Sequence, residues 1–142
     1  MKKTNILFVC RYNRFRSRIA EAYLKKINKN KNIQIKSAGL FKGRPLSPIT
    51  VKEAKKYGLN INGTVKGLSS SLMSWQNVTV VVADDVPVQV FDKNKKYGKK
   101  VIAWKIKDTD YKNTKKVEEL IKKIMKKVDN LILKLEKEKW IQ

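Results

Sequence analysis

The sequence lacks histidine altogether, and its 142 residues include a single cysteine, Cys10. One cysteine excludes an internal disulfide and any zinc or iron–sulfur site built from several cysteines. Without histidine, Ser-His-Asp triads, Cys-His pairs and histidine metal sites are excluded as well. Any chemistry must therefore use the one thiol together with carboxylate, hydroxyl, lysine, arginine and tyrosine side chains.

Long apolar runs are also missing from the sequence. No stretch approaches the ~20 apolar residues that span a membrane. The early apolar run ends at Cys10, and four arginines follow by Arg18, which is not the pattern of a signal peptide. We therefore expect a cytoplasmic protein without a membrane span. Because a 142-residue chain that is 42% hydrophobic can bury a core, we expect one domain over residues 1–142.

Arginine is scarce although positive charge is abundant. Lysine and arginine together number 34 against 12 acidic residues, which gives a formal net charge of +22. Four of the few arginines stand at positions 11, 14, 16 and 18. The total charge leaves two interpretations open, a solvated lysine-rich surface or a surface that binds nucleic acid or another polyanion. The arginine cluster indicates planar recognition of a phosphate or carboxylate.

Four apolar runs predict β-strands separated by helical segments. The predicted strands cover residues 5–9, 33–39, 78–83 and 101–106. Helices are predicted from an N-cap at Ser17 to about residue 30, from Ser47-Pro48 to Gly58, over residues 68–75 and from about Asn113 onward. Strands that alternate with helices predict a parallel sheet with helices on both faces.

Residues capable of chemistry follow the predicted strands, namely Cys10, Ser37, Asp84-Asp85 and the segment 108–110. Ligands of an open parallel sheet bind beyond the carboxyl ends of its strands. A strand that turns directly into a helix surrounds a small volume with N–H groups, which favours an anion and biases a thiol there toward the thiolate. The spacing Cys10-x5-Arg16-Ser17 therefore predicts a nucleophilic thiolate, an arginine that binds two anion oxygens and a hydroxyl that donates to the sulfur.

The chain resembles the low-molecular-weight protein tyrosine phosphatases, a family related to arsenate reductases, over essentially its whole length. The resemblance rests on Cys10-x2-Asn13-x2-Arg16-Ser17 followed by Ala20-Glu21, and on Ser37-Ala38-Gly39 after the second strand. It implies an α/β, flavodoxin-like three-layer sandwich in which a four-stranded parallel sheet has the order 2-1-3-4.

The resemblance also implies a two-step phosphoryl transfer through a phosphocysteine on Cys10. Arg16 and the loop amides would bind the equatorial oxygens, and an aspartate would protonate the leaving oxygen and then activate water. Ser37 is implied as a supporting residue, and no metal or cofactor is expected. The implied partners are a phosphorylated protein or small phosphomonoester, with inorganic phosphate as product or inhibitor. The implied phosphate-binding residues are Arg11, Tyr12, Asn13, Arg14, Phe15 and Ser17.

The identity of the acid is open between two residues. The family has Asp-Pro followed by aromatic residues, whereas this chain has Asp108-Thr109-Asp110-Tyr111. Asp108 is favoured as the acid because it follows the fourth strand, and Asp110 is the alternative acid. Each of the two can instead be a surface carboxylate near the N-terminus of the last helix. Phe41 and Tyr111 are candidates for the pocket wall, with ordinary packing as the alternative.

Several loop residues depart from the family pattern. Arg11, Tyr12 and Arg14 replace mostly small, neutral residues, so two extra cations and a ring are expected at the mouth of the site. Phe15 stands where many relatives have a second cysteine. Thioredoxin-coupled arsenate reduction needs further cysteines, so that reaction is excluded within this chain.

The expected activity is hydrolysis of phosphotyrosine or another small phosphomonoester, and phosphoarginine stays open as a substrate. The alternative is a phosphate-pocket protein with little turnover that binds nucleic acid or another polyanion through its basic surface.

Overall fold

A parallel sheet forms the centre of the molecule in the computed structural model, which describes residues 3–141. Its strands run in the order β2-β1-β3-β4, and all three neighbouring pairs are parallel. The strands are β1 (Thr4–Cys10), β2 (Ile33–Gly39), β3 (Val78–Val82) and β4 (Lys100–Trp104). The predicted strands and strand order are confirmed.

Helices cover both faces of this sheet because successive strand residues point to opposite sides. Ile6 and Phe8 of β1 belong to the larger apolar core, whereas Leu7 and Val9 belong to a second core on the other face. The larger core lies under α1 (Arg16–Ile27), α2 (Pro48–Lys55) and α4 (Thr114–Lys137). Residues of α3 (Ser70–Trp75) and of the 3-10 turn Val88–Phe91 cover the second; another such turn spans Lys95–Tyr97. This is the expected flavodoxin-like sandwich of three layers.

Some helix and strand ends differ from the predictions. Ser17 is not the N-cap of α1; Phe15 is, and Ser17 lies inside the first turn with its hydroxyl directed at Cys10. The fourth strand ends at Trp104 rather than residue 106, because the Ile106 N–H donates back to the Trp104 carbonyl at 2.8 Å in a tight turn. The predicted start of the last helix at about Asn113 is confirmed, and Asn113 is its N-cap, because its side chain accepts from the Lys116 N–H.

The last helix, α4, has one buried face and one basic face. Its buried residues, which include Val117, Ile121 and Leu135, follow helical spacing, and lysines occupy much of the opposite face. Across residues 3–141, none of the helices combines the length and apolar character needed to cross a bilayer.

Candidate active site

The nucleophile candidate, Cys10, is the last residue of β1 and is only 2% exposed. The chain then loops over residues 11–15 before α1 begins at Arg16. Across this loop, the Sγ of Cys10 lies 3.0 Å from the Oγ of Ser17. The sulfur therefore lies beside the first turn of α1, where the helix dipole favours an anion.

Asn13 holds the loop in its shape. Its backbone has a φ of 56°, a left-handed conformation that asparagine tolerates better than most residues. Its Nδ2 donates to the Oγ of Ser17 at 2.8 Å and to the Oγ of Ser37 at 2.9 Å, while its Oδ1 accepts from the Lys66 N–H. Ser37 in turn donates to the carboxylate of Glu21 at 2.5 Å. The oxygen of Ser17 already accepts from the Asn13 amide, which can only donate, so the Ser17 hydroxyl proton is free to donate to the sulfur of Cys10.

Arg16 is buried, with 2% of its side chain exposed, and lies at the centre of an acidic group. Its Nη1 donates to the Ile106 carbonyl and its Nη2 to Asp85, each at 2.9 Å. Carboxylate oxygens of Asp84 and Asp108 lie 3.8 Å from the guanidinium. Burial acts to lower the pKa of Arg16, but the negative charges of Cys10, Asp108 and Asp85 outweigh this effect and raise the pKa. The Arg16 side chain therefore stays positively charged.

The two candidate acids occupy different surroundings. Asp108 is 39% exposed; its Oδ1 accepts from the Thr109 N–H, and its Oδ2 accepts from the hydroxyl of Tyr111 at 3.1 Å. Asp110 is exposed and its Oδ1 accepts from the Lys112 N–H in a local turn. Asp108 thus lies against both Arg16 and Tyr111, whereas the contacts of Asp110 are local.

Aromatic rings line two sides of the loop. Tyr111 packs edge-on against Phe15 at 5.5 Å between centroids, and the guanidinium of Arg14 lies over the Tyr111 ring at 5.1 Å. The side chain of Phe15 is fully buried, so its contribution to anion binding can come only from its backbone. On the other side, the ring of Tyr12 packs against that of Phe41 with 6.2 Å between centroids, and Phe41 is half exposed.

Arg18 belongs to the arginine cluster that indicated recognition of a phosphate or carboxylate, but its side chain donates to backbone carbonyls instead. It is buried, and its Nε donates to the Asn13 carbonyl at 2.6 Å. Its Nη1 donates to the Ile61 carbonyl at 3.0 Å and its Nη2 to the Thr64 carbonyl. Burial lowers the pKa of Arg18, and the charges of Glu21 and the thiol offset only part of this effect. Arg18 thus connects the backbone of the loop at residues 11–15, which we call the phosphate loop for its predicted role, to the segment before Gly67.

Asp85 and Glu21 make contacts in the site that the sequence did not predict. The structure places Asp85 on Arg16 and Glu21 on Ser37. Their only signal in the sequence was position: one follows a strand, and the other lies in the first turns of α1. Within residues 3–141, no three carboxylate or thiol groups come together in a way that could hold a metal ion. The absence of a metal requirement stays a prediction.

The sheet carries a cysteine, the loop of residues 11–15 and a buried arginine at the carboxyl ends of its strands, which is where open parallel sheets bind their ligands. The family model described as low molecular weight phosphotyrosine protein phosphatase matches residues 5–140, so the chain belongs to that family. A search of curated proteins finds no significant match.

Solved structures support the same fold. A low molecular weight protein tyrosine phosphatase from T. tengcongensis is 24% identical with a TM-score of 0.77, covering 94% of this chain and 100% of that one. The YwlE arginine phosphatase from Geobacillus stearothermophilus is 22% identical with a TM-score of 0.76, covering 95% and 94%. A thioredoxin-dependent arsenate reductase from Corynebacterium glutamicum is 22% identical with a TM-score of 0.73; the match covers 95% of this chain but 63% of that one.

Proposed function

We propose that this protein hydrolyses phosphomonoesters, with phosphotyrosine in proteins as the leading substrate class, through a phosphocysteine on Cys10. The observation that carries the proposal is the directed chain of hydrogen bonds that ends on the sulfur. The amide of Asn13 donates to Ser17, and the hydroxyl of Ser17 faces Sγ at 3.0 Å. A donor aimed at sulfur stabilises the thiolate, which is the nucleophilic form.

In the first step the thiolate attacks phosphorus, the S–P bond forms and the P–O bond to the leaving group breaks. Arg16 stabilises the charge on the transferred group. Each of its terminal nitrogens donates one N–H to the protein and has a second for a phosphate oxygen. Its contacts to Ile106 and Asp85 hold the guanidinium in place, so little reorganisation is needed when the dianion arrives.

Asp108 is the proposed acid. It gives its proton to the leaving oxygen, then takes a proton from the water that attacks phosphorus and breaks the S–P bond, which restores the thiolate and releases inorganic phosphate. Its contact with Arg16 and its partial exposure support this role, because the acid must reach both the transferred group and the leaving group. Asp110 stays the alternative, although its side chain is engaged in a local turn.

The test uses the purified full chain and an aryl phosphate in metal-free buffer. We expect turnover that vanadate inhibits, and we expect Cys10→Ser to abolish turnover while phosphate still binds. Full activity in Cys10→Ser would refute the mechanism. Asp108→Asn should slow poor leaving groups far more than good ones, with Asp110→Asn as the matched control; the reverse result assigns the acid to Asp110.

The substrate panel should extend beyond phosphotyrosine. One of the similar structures is named an arginine phosphatase, so phosphoarginine belongs in the panel beside small phosphomonoesters. Hydrolysis of phosphoarginine in preference to phosphotyrosine would change the proposed substrate class without changing the proposed roles of Cys10 and Arg16.

A further inference from the structure

Two arginines meet on one aromatic ring at the edge of the phosphate loop. The guanidinium of Arg11 lies over the ring of Tyr12 at 5.3 Å, and that of Arg44 lies over the same ring at 5.0 Å. Both arginines are exposed, and Tyr12 is half-buried against Phe41. These two guanidinium groups with the Tyr12 ring are called the arginine pair below.

The backbone fixes the arginine pair to the nucleophile. The N–H of Leu40 donates to the Cys10 carbonyl at 2.8 Å, and the N–H of Phe41 donates to the Arg11 carbonyl at 2.9 Å. Downstream of Arg44, the Pro45 carbonyl accepts from the Nε of Arg14 at 2.6 Å. The segment that carries Arg44 is therefore attached to the phosphate loop on both sides.

The arginine pair has no carboxylate partner within residues 3–141. Among the residues that the structure describes, neither Arg11 nor Arg44 has a carboxylate within 4 Å, whereas buried Arg16 has three. A guanidinium stacked on a ring uses its face, which leaves the N–H groups at its edge free to donate to an anion. Because neither cation is neutralised by a carboxylate, an anion that binds beside this ring is favoured by both charges.

We propose that the arginine pair binds a second anionic group of the substrate, within roughly 10 Å of the reacting phosphorus because Arg11 directly follows Cys10 and one side chain spans the remaining distance. This proposal rests on the proposed function and narrows its substrate class. The preferred substrate carries a carboxylate or a second phosphate close to the phosphate that is hydrolysed. In a protein, that group is an acidic side chain next to the phosphorylated residue.

The net charge of +22 complicates any test, since every acidic peptide is attracted to this protein. The experiment therefore compares two phosphotyrosine peptides of identical composition. One has aspartates directly beside the phosphotyrosine, and the other has the same aspartates at least six residues away. Affinity is measured by calorimetry on Cys10→Ser, and kcat/KM on the protein with its cysteine. A parallel arm compares phenyl phosphate with a phenylene bisphosphate.

We expect the adjacent-aspartate peptide to bind on the order of tenfold more tightly, as two exposed ion pairs allow. Arg44→Gln should reduce this ratio several-fold, whereas Lys42→Gln removes the same charge from the same exposed segment and should leave the ratio unchanged. A preference only in the phenylene bisphosphate arm identifies a second phosphate as the ligand.

Equal affinity within each pair overturns the proposal, and so does an equal loss of preference in Lys42→Gln. Selective binding without hydrolysis by the cysteine-containing protein would refute the phosphatase activity while leaving the arginine pair as a binding site. Hydrolysis without selectivity would support the phosphatase activity and refute the arginine pair as a binding site.

Discussion

Replacing Ser17 by alanine removes a single oxygen from a fully buried position beside the nucleophile. That oxygen lies 3.0 Å from the sulfur of Cys10 and accepts from the amide of Asn13 at 2.8 Å. Because an amide nitrogen can only donate, the proton of the Ser17 hydroxyl has the sulfur as its acceptor. The Ser17→Ala protein therefore has a thiolate that lacks one donor.

The size of the effect follows from the charge on the acceptor. A hydrogen bond to a charged group contributes about 1.5–3 kcal/mol, more than one between neutral groups. Since 1.36 kcal/mol corresponds to a factor of ten in rate, kcat/KM should fall by about 10-fold to 150-fold. The amide of Asn13 also loses a buried acceptor, which should cost about 1–3 kcal/mol of unfolding free energy.

Alkylation of the cysteine gives a direct measurement, because the chain has only one thiol. The rate of iodoacetamide labelling at fixed pH should fall in Ser17→Ala together with kcat/KM. Ser37→Ala is the matched control: it also removes a serine hydroxyl bonded to Asn13, but that hydroxyl donates to Glu21 rather than to sulfur. Unchanged labelling in Ser17→Ala, or an equal loss in Ser37→Ala, would show that the donor to sulfur is unimportant.

Three further predictions concern the surroundings of the loop. Arg18→Met should lower the unfolding free energy, measured in urea, by about 2–5 kcal/mol, because three carbonyls lose a charged donor. Arg18→Lys should have an unfolding free energy between those of Arg18→Met and the wild type. An unchanged unfolding free energy in Arg18→Met would contradict this prediction. Gly39→Ala should destabilise by about 1–3 kcal/mol and impair activity, because a Cβ there lies 2.6 Å from the Tyr12 carbonyl carbon, whereas Gly43→Ala meets nothing within 4 Å and is the control. Burial and then Asp108 raise the pKa of Tyr111. The folding stability that comes from this raised pKa is therefore complete below pH 10 and is lost as the pH rises further. Because Tyr111 stays protonated up to that pH, Tyr111→Phe should leave the ultraviolet titration of the protein unchanged there.

The fold and the strand-to-helix turn after Cys10 could be predicted because their signals are local in sequence. Consecutive apolar residues identify strands such as 78–83, and helical spacing identifies α4. The cysteine and arginine of the loop are six positions apart, so the strand-to-helix turn alone brings them together. The grouping of residues at the carboxyl edge of the sheet then follows from the strand order. That order brings Cys10 and Asp84 near each other although they are far apart in the sequence.

The contacts of charged side chains could not be predicted, because they depend on how distant segments approach. Arg18 is bonded to carbonyls at residues 61 and 64, and Arg16 to a carbonyl at residue 106. Carbonyls occur at every position, so no residue type marks these partners. The position of Ser17 was misjudged for a related reason: a serine at the start of a helix resembles an N-cap, and only the folded loop reveals the sulfur as its partner.

The division between arginine and lysine separates two kinds of positive charge in this protein. All five arginines contact the phosphate loop or a ring or carbonyl beside it: Arg11, Arg14, Arg16, Arg18 and Arg44. A planar guanidinium can donate to three separate carbonyls in fixed directions, as Arg18 does, or stack on a ring while the N–H groups at its edge stay free. The lysines instead make the outer surface basic, as on α4. Binding of a polyanion through that surface stays a prediction, and it should weaken steeply with salt. Recognition by buried Arg16 is screened much less, so salt dependence can distinguish the surface from the site.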